Sequence, residues 1–379
     1  MVVAISSDSV MMMLSLDDRE WREFFIDEVC VIHSGVRLTK AEMLLGNTPF
    51  IGSSDSNNGI TAFTGSTNSS KKRNVLGVNY NGSVVESFYH PYDALFSDDV
   101  KQLEIMHETP TEYMYLFLKA VILKQKSKYA YGYKFNAERM KRQIILLPID
   151  QDGKPDWQFM NDYIKEHKEH LIRRQIAFLE HEIDSIGGGA PRFQRTRIQD
   201  ADWRAFTVGE LFQSFINGKG KGLNHLKRVA HGGIEYIGAT NRNEGVLCFV
   251  GIDTETASMI QEGNCIGFIR NGDGSAGYAI YRARDFISTS DVMYGYADWL
   301  NESTGRFFVV AQNMIKAKYS HGHKRSAARL MSDKVMLPAG EDGSPDWGLM
   351  ESYEKQHRLR KLEMNKRFLS DQIKVANLV

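Results

Sequence analysis

Two stretches of the chain carry apolar residues at helical spacing with almost no glycine or proline. From Trp157 to Ile186 the stripe is Met160, Tyr163, Ile164, His167, Leu171, Phe178 and Ile183. From Trp347 to about Ala376 it is Met350, Tyr353, His357, Leu362, Phe368, Leu369 and Ile373, with Gly348 the one glycine. Each stretch predicts a helix of about 28 residues, about 42 Å long. Asp156 and Asp346 stand where an N-cap belongs, behind Pro155 and Pro345. Ahead of each helix the pattern shortens to β-like runs, such as Phe50–Gly52, Val75–Val78, Ile234–Ile237 and Cys265–Ile269, with one helix expected near 111–124 and another near 299–317. A long amphipathic helix must lay its stripe on something, and the twin helix is the obvious partner, in a coiled-coil-like pair.

The twinning runs through the whole chain. LPIDQDGKPDW (147–157) and LPAGEDGSPDW (337–347) share seven of eleven residues. At the same offset, Lys128-Tyr129-Ala130-Tyr131-Gly132-Tyr133-Lys134 falls on Lys318-Tyr319-Ser320-His321-Gly322-His323-Lys324, and Asn74–Gly77 falls on Asn264–Gly267. Nearer the start the offset drifts, as loop insertions would make it. Trp21-Arg22-Glu23-Phe24 matches Trp203-Arg204-Ala205-Phe206, and Ile51-Gly52 with Asn58-Gly59-Ile60 matches Ile237-Gly238 with Glu244-Gly245-Val246. Matches kept in order mark a duplication. The expected organisation is a loose leader (1–17), a first β-rich domain (18–154) with its helix (155–187), a glycine-rich linker (188–199), and a second domain (200–344) with its helix (345–379).

The repeat settles one tempting motif. Gly272-Asp273-Gly274-Ser275-Ala276-Gly277 spells the G-x-G-x-x-G of a dinucleotide loop. That chemistry needs a helix N-terminus after the glycines to hold phosphate. Tyr278–Ala283 is rich in β-formers instead, and the first copy has only Asn81-Gly82-Ser83 at this place. Both read as hairpin turns.

Composition narrows the rest. A chain of 379 residues, 42% hydrophobic and 25% charged, is an ordinary globular protein long enough for two or three domains. Cys30, Cys248 and Cys265 form no C-x-x-C pair, so a reduced cytoplasmic setting is expected, without disulfides or structural zinc. No apolar run approaches the roughly 18 residues of a membrane span. Forty-seven basic residues balance 47 acidic ones, which argues against a uniformly basic surface but permits patches. The basic candidates are Lys71, Lys72 and Arg73, Lys128 and Lys134, Lys219 and Lys221, Arg242, Arg270, and Lys318, Lys324 and Arg325. Lysine suits phosphate, and the arginine fork suits guanine edges, for which Arg282 and Arg284 are further candidates. The K-Y-x-x-G-x-K repeat sets lysines and aromatics around a glycine, a pattern suited to backbone phosphates and equally to a plain turn. Pro155-Asp156 with Glu166-His167-Lys168 imitates a nuclease core. Those carboxylates fall along one helix and the second copy lacks the pattern, so helix capping is the better reading. No metal site, P-loop or methyltransferase signature is found.

A duplicated module ending in LPxxxDGxPDW and a long helix resembles the DNA-specificity (S) subunit of a Type I or Type IIB-like restriction–modification system, from Trp21 onward. The resemblance implies an α+β fold with two tandem, pseudo-symmetric target-recognition domains, each reading half of a bipartite double-stranded site. It implies that the two long helices pair antiparallel as a stalk between them. A 42 Å rod would span about 12 base pairs. It also implies a non-catalytic chain in a prokaryotic cytoplasm. Methyltransferase or fused methyltransferase–endonuclease subunits would dock on the helices, through Met160, Tyr163, Ile164, Leu171, Phe178, Met350, Tyr353, Leu362 and Phe368, and bring S-adenosylmethionine and magnesium. The competing reading is a nuclease or other hydrolase with scattered active-site residues.

Overall fold

A computed structural model describes residues 13–107, 109–129, 132–187, 198–272, 274–320 and 322–376. Most of the expected leader and linker, together with Ala130, Tyr131, Asp273 and His321, lies outside the described residues. The chain divides into two compact units between Gln175 and Ile176.

The first unit runs β1 (Trp21–Phe25), α1 (Ile26–Val29), β2 (Cys30–Ser34), β3 (Thr48–Ile51), β4 (Ile60–Thr64), β5 (Val75–Asn79), β6 (Ser87–His90), β7 (Leu95–Phe96), β8 (Val100–Ile105), α2 (Glu112–Leu123), α3 (Ala137–Lys141), β9 (Ile144–Pro148) and the long α4 (Trp157–Gly187), which continues into the second unit. Its sheets are β2-β8-β5-β6, β4-β3-β7 and the pair β1-β9. The second unit runs β10 (Asp202–Thr207), α5 (Val208–Leu211), β11 (Ser214–Asn217), β12 (Arg228–Val229), β13 (Ile234–Ile237), β14 (Val246–Val250), α6 (Thr254–Ala257), β15 (Cys265–Ile269), β16 (Ala279–Arg282), β17 (Phe286–Ser288), β18 (Val292–Tyr296), α7 (Glu302–Asn313), α8 (Ala327–Ser332), β19 (Lys334–Ala339) and α9 (Trp347–Ala376). Its sheets are β11-β18-β15-β16, β12-β14-β13-β17 and β10-β19. Strand for strand the two units share one topology, with β12 and α6 added in the second.

The likeness reaches the backbone. Asn57, Asn58 and Gly59 have φ of 50°, 52° and 74°, and Asn243, Glu244 and Gly245 have 47°, 50° and 84°. That left-handed run strains most side chains and favours asparagine and glycine. The same bulge follows at Phe50/Ile51 and at Tyr236/Ile237. The glycine-rich loop of the second unit links β15 to β16, an antiparallel pair, so it is a hairpin connection as expected.

Each core packs helices on the four-stranded sheet. In the first, Leu76, Val78 and Leu103 meet Tyr115, Leu118 and Ile122 of α2, Leu147 of β9 and Met160 of α4. In the second, Ile266 and Phe268 meet Phe308, Leu330, Leu337 and Met350. The LPxxxDGxPDW motif is the strand-to-helix junction. Asp156 N–H donates to Pro148 O and Asp346 N–H to Pro338 O, both at 2.9 Å. The two aspartates cap α4 and α9, each accepting through Oδ1 at 2.9 Å from the N–H of Phe159 or Leu349.

Two expectations about the long helices are corrected. Met160 and Met350 are wholly buried in the cores of their own units, because the first helical turn is docked on the sheet beside it. At Leu171 and Phe178 the stripe of α4 is also out of phase with the one expected, while Ile183 falls on both. Ile172, Ile176, Leu179, Ile183 and Ile186 are the sheltered positions, while Leu171 and Phe178 are 62% and 55% exposed. The two faces lie one residue apart, and residues spaced by seven fit either. On α9, Leu359, Leu362, Leu369 and Ile373 are partly sheltered and Met364 and Phe368 are exposed. Within the second unit, α9 is tied to the end of α4 by Arg358–Glu182 and Lys366–Glu180, both at 2.7 Å, in antiparallel order.

Candidate nucleic-acid interface

In the second unit, the loops after β13, β15 and β17 and the segment after α7 are bonded into one end of the fold. Ser275 Oγ donates to Asn241 Oδ1 at 3.0 Å. Arg270 N–H donates to Asp291 O at 2.9 Å and Thr289 N–H to Ile237 O at 3.1 Å. Asn271 Nδ2 donates to Asp291 Oδ1 at 3.1 Å. Arg325 N–H donates to Arg270 O at 3.1 Å. These bonds bring loops far apart in sequence to one surface. Lys219, Arg242, Lys318 and Lys324 are exposed there and Arg270 is half-buried. Lys318 lies 3.7 Å from Asp333. No ion pair holds Lys219, Arg242 or Lys324 among the described residues, so their charge is available to a phosphate.

Arg325 is corrected. Its side chain is fully buried, donating from Nε and Nη2 to Asp333 Oδ2 at 3.1 and 2.8 Å and from Nη1 to Gly277 O at 3.1 Å. It lies against the rings of Phe268 and Tyr319. A guanidinium so enclosed by a carboxylate, a carbonyl and two rings presents no donor to DNA, because its side chain is fully buried. It anchors the loop that carries Arg270. Arg282 is corrected likewise. It is 4% exposed and paired with Glu235 on β13, and burial lowers its pKa.

The first unit builds the same end from other side chains. Asn79 Nδ2 donates to Ser54 O at 2.9 Å, and Asn81 Nδ2 to Asp99 Oδ1 at 2.9 Å. Lys128 is exposed and Lys134 half-buried on the segment after α2, neither in an ion pair among the described residues. A Cβ added at Gly132 or Gly322 would meet nothing within 4 Å, so the backbone of both K-Y-x-x-G-x-K segments is open to close approach. Tyr133, 51% exposed, stacks on Tyr129 and is covered by Arg139 at 3.8 Å. Lys71, Lys72 and Arg73 are not part of this surface. They precede β5 at its opposite end, where Lys72 pairs with Glu104 at 3.0 Å and Lys71 with Asp93 at 3.6 Å.

Sequence reading missed residues that only the loop ends bring in. Lys101 lies 4.9 Å over the Tyr80 ring, with its pKa pulled down by burial against the opposing pull of Asp98 and Asp99. Lys316 Nζ donates to Tyr278 Oη at 2.7 Å, and that bond lowers the phenol's pKa. The Asn81-Gly82 and Asn271-Gly272 turns were the signal, since both tyrosines flank them.

The nuclease-like carboxylates have structural work. Asp156 caps α4 and pairs with Arg19 at 2.8 Å, and Glu166 accepts from Leu14 N–H at 3.0 Å. Among the described residues no three His, Cys, Asp or Glu gather as a metal site, and no helix is long and apolar enough to cross a membrane. A cleft of about 860 Å³ runs beside β16 and α7, lined by Glu235, Arg282, Glu302 and Arg306 among others. Four of its charges are paired, as Arg282–Glu235 and Arg306–Glu302.

Comparison with known proteins points the same way. The family model for the Type I restriction modification DNA specificity domain matches residues 18–177. A curated relative, the Type II restriction enzyme BgcI specificity subunit S.BcgI of Heyndrickxia coagulans, is 59% identical over 168 residues, which are 44% of this chain and 49% of that protein. The chain thus spans about half the length of the curated relative it matches. The S subunit of a Type I restriction–modification system from M. genitalium shares the fold, with a TM-score of 0.60 over 96% of both chains at 16% identity.

Proposed function

We propose that this chain, whose residues 18–177 match the family model of the Type I restriction modification DNA specificity domain, is a non-catalytic specificity subunit reading a bipartite double-stranded DNA site, one half through each unit. One observation carries the proposal: the two units repeat a single topology, and each gathers lysines, arginines and tyrosines on the same loop end. Phosphate contacts from Lys128, Lys134, Lys219, Lys318 and Lys324 would supply affinity, and Arg242 and Arg270 would read base edges. Divergence of the loops on a shared frame suits two different half-sequences. Leu171, Phe178, Met364 and Phe368 form exposed apolar positions on the long helices, suited to docking methyltransferase or methyltransferase–endonuclease subunits. Those partners would bring S-adenosylmethionine and magnesium, in a prokaryotic cytoplasm.

Co-expression with the neighbouring methyltransferase, followed by mapping of methylated adenines across the genome, should give a split motif with a constant gap. A continuous motif, or none, sinks the reading. The chain alone should neither cut nor methylate DNA; magnesium-dependent cutting lost in Asp156→Asn would favour a nuclease. Phe178→Ser with Phe368→Ser should abolish co-purification of the partner while leaving thermal unfolding within about 0.5 kcal/mol, as for exposed sites.

A further inference from the structure

The two units differ most between the second strand and the small sheet. Matched backbone bonds align the segments. Gly35 N–H donates to Val100 O and Gly218 N–H to Val292 O; Val36 N–H donates to Phe96 O and Gly220 N–H to Ser288 O; Gly65 N–H donates to Leu44 O and Gly251 N–H to Lys227 O. The alignment makes Lys219 an inserted residue and sets Lys221 opposite Arg37. It sets Lys227 and Arg228 opposite Leu44 and Leu45, which are 65% and 102% exposed. The first unit thus presents leucines at a place where the second presents a lysine and an arginine. From Asn217 to Gly233 the second unit's segment also holds no Asp or Glu.

The segment is clamped. A Cβ on Gly218 would come within 2.1 Å of Thr289 O, and one on Gly220 within 2.8 Å of Ser288 O, so the glycines let it lie flat against the end of β17. Gln261, buried at 5%, accepts from Lys219 N–H and donates to Asn217 O, both at 3.2 Å. Tyr236 Oη donates to Lys221 O at 2.7 Å. Leu226 is buried beside Tyr236, Val250 and Ile287, and β12 fixes Arg228 opposite Val250. The side chains of Lys219, Lys221, Lys227 and Arg228 all stay exposed. Lys221 is paired with Glu255, as Arg37 is with Asp98 at 3.7 Å. Lys219, Lys227 and Arg228 have no ion pair among the described residues.

We infer that Lys219, Lys227 and Arg228 form a phosphate track through which the second unit grips the DNA backbone beside its half-site, and that the first unit has no such grip. The inference rests on the DNA-binding reading and adds an asymmetry to it. Cations on a clamped backbone, with no carboxylate paired to them among the described residues, lose little conformational freedom on meeting phosphates, and each contact releases a counterion. The partner is duplex DNA; an acidic protein segment would leave the DNA salt dependence untouched.

The test uses the full chain with its co-expressed partners and a duplex of random sequence. Lys219→Gln with Lys227→Gln and Arg228→Gln should lower the slope of log affinity against log salt by about 2.7, at about 0.9 per phosphate contact. Leu44→Gln with Leu45→Gln should leave it unchanged. Hydroxyl-radical footprints of the unaltered complex on a mapped site should reach further beyond one half-site than the other. An unchanged slope, or a symmetric footprint, overturns the track while DNA binding stands. Absence of any salt-sensitive affinity in the unaltered complex would instead sink the DNA-binding reading.

Discussion

Tyr129 in the first unit and Tyr319 in the second occupy one place in a shared frame, yet their surroundings use opposite chemistry. Tyr129 Oη donates to Gln143 Oε1 at 2.7 Å, with Phe135 buried beside it. Tyr319 Oη donates to Asp333, and Arg325 fills the place of Phe135. Burial and the Asp333 hydrogen bond push the Tyr319 phenol up to about 12. A neutral trio has become an ionic one, and the change is concerted, because Arg325 without Asp333 would be a buried unpaired charge. The frame tolerates either solution, so this position is free to vary with the loop above it. The largest difference between the units should therefore appear on removing one partner. Asp333→Leu should cost about 3–5 kcal/mol, and Gln143→Leu about 1–2 kcal/mol. Hydrogen exchange of β19 and β9 in the full chain reads both. Equal losses would mean that the ionic trio is not closed in solution. Arg325→Met with Asp333→Leu should recover most of the stability yet relax selectivity at one half-site, since the Arg325 side chain also holds Gly277 O at the end of the loop that carries Arg270.

The next contrast lies at the start of the β5–β6 and β15–β16 pairs. His90 stands opposite Val75, and Arg282 opposite Cys265. His90 is wholly buried, against Phe96 and Gly77, with Tyr92 Oη 3.3 Å from Nδ1. Burial, helped by Lys119, pushes its pKa down to about 4. The folded state thus holds it neutral where the unfolded chain, with an ordinary value near 6.5, takes a proton. Stability is full above about pH 6.5 and is lost as pH falls toward 4, by about 2 kcal/mol at pH 5. Arg282 does not titrate in this range. Urea unfolding at pH 7 and pH 5, with each unit followed by its own proteolytic fragments, should show the first weakening more than the second. His90→Gln should remove that excess, and an excess that survives would place the titrating group elsewhere.

These contrasts also show what could be read without coordinates. The duplication, the long helices with their aspartate caps and the hairpin nature of the glycine-rich loop were legible, because each rests on local spacing or on identity between the copies. The phase of the α4 stripe was not, since Leu171 and Ile172, or Phe178 and Leu179, are adjacent apolar pairs and only packing chooses between them. Arg325 read as a DNA contact because it closes a basic run, and its burial depends on Asp333, beyond the next helix, and on Gly277, distant in sequence. Lys71–Arg73 read as a patch because charge is visible in sequence while the end of a strand is not. Lys101 and Lys316 were passed over because a single lysine carries no local pattern until a turn places a tyrosine beneath it.

The smallest expected effect concerns what the units share. Asn81 Nδ2 donates to Asp99 Oδ1 at 2.9 Å, and Asn271 Nδ2 to Asp291 Oδ1 at 3.1 Å. Each bond latches the hairpin loop to the turn before the next strand. If the frame is one frame used twice, Asn81→Ala and Asn271→Ala should each cost about 1 kcal/mol, the net worth of an ordinary hydrogen bond that water still reaches. The two costs should agree within about 0.5 kcal/mol, the usual limit of independence for separated sites. Hydrogen exchange of β8 and β18 measures them. A gap much wider than that would mean that the longer loop of the second unit carries its own support, and the latch would then belong to what differs between the units rather than to what they hold in common.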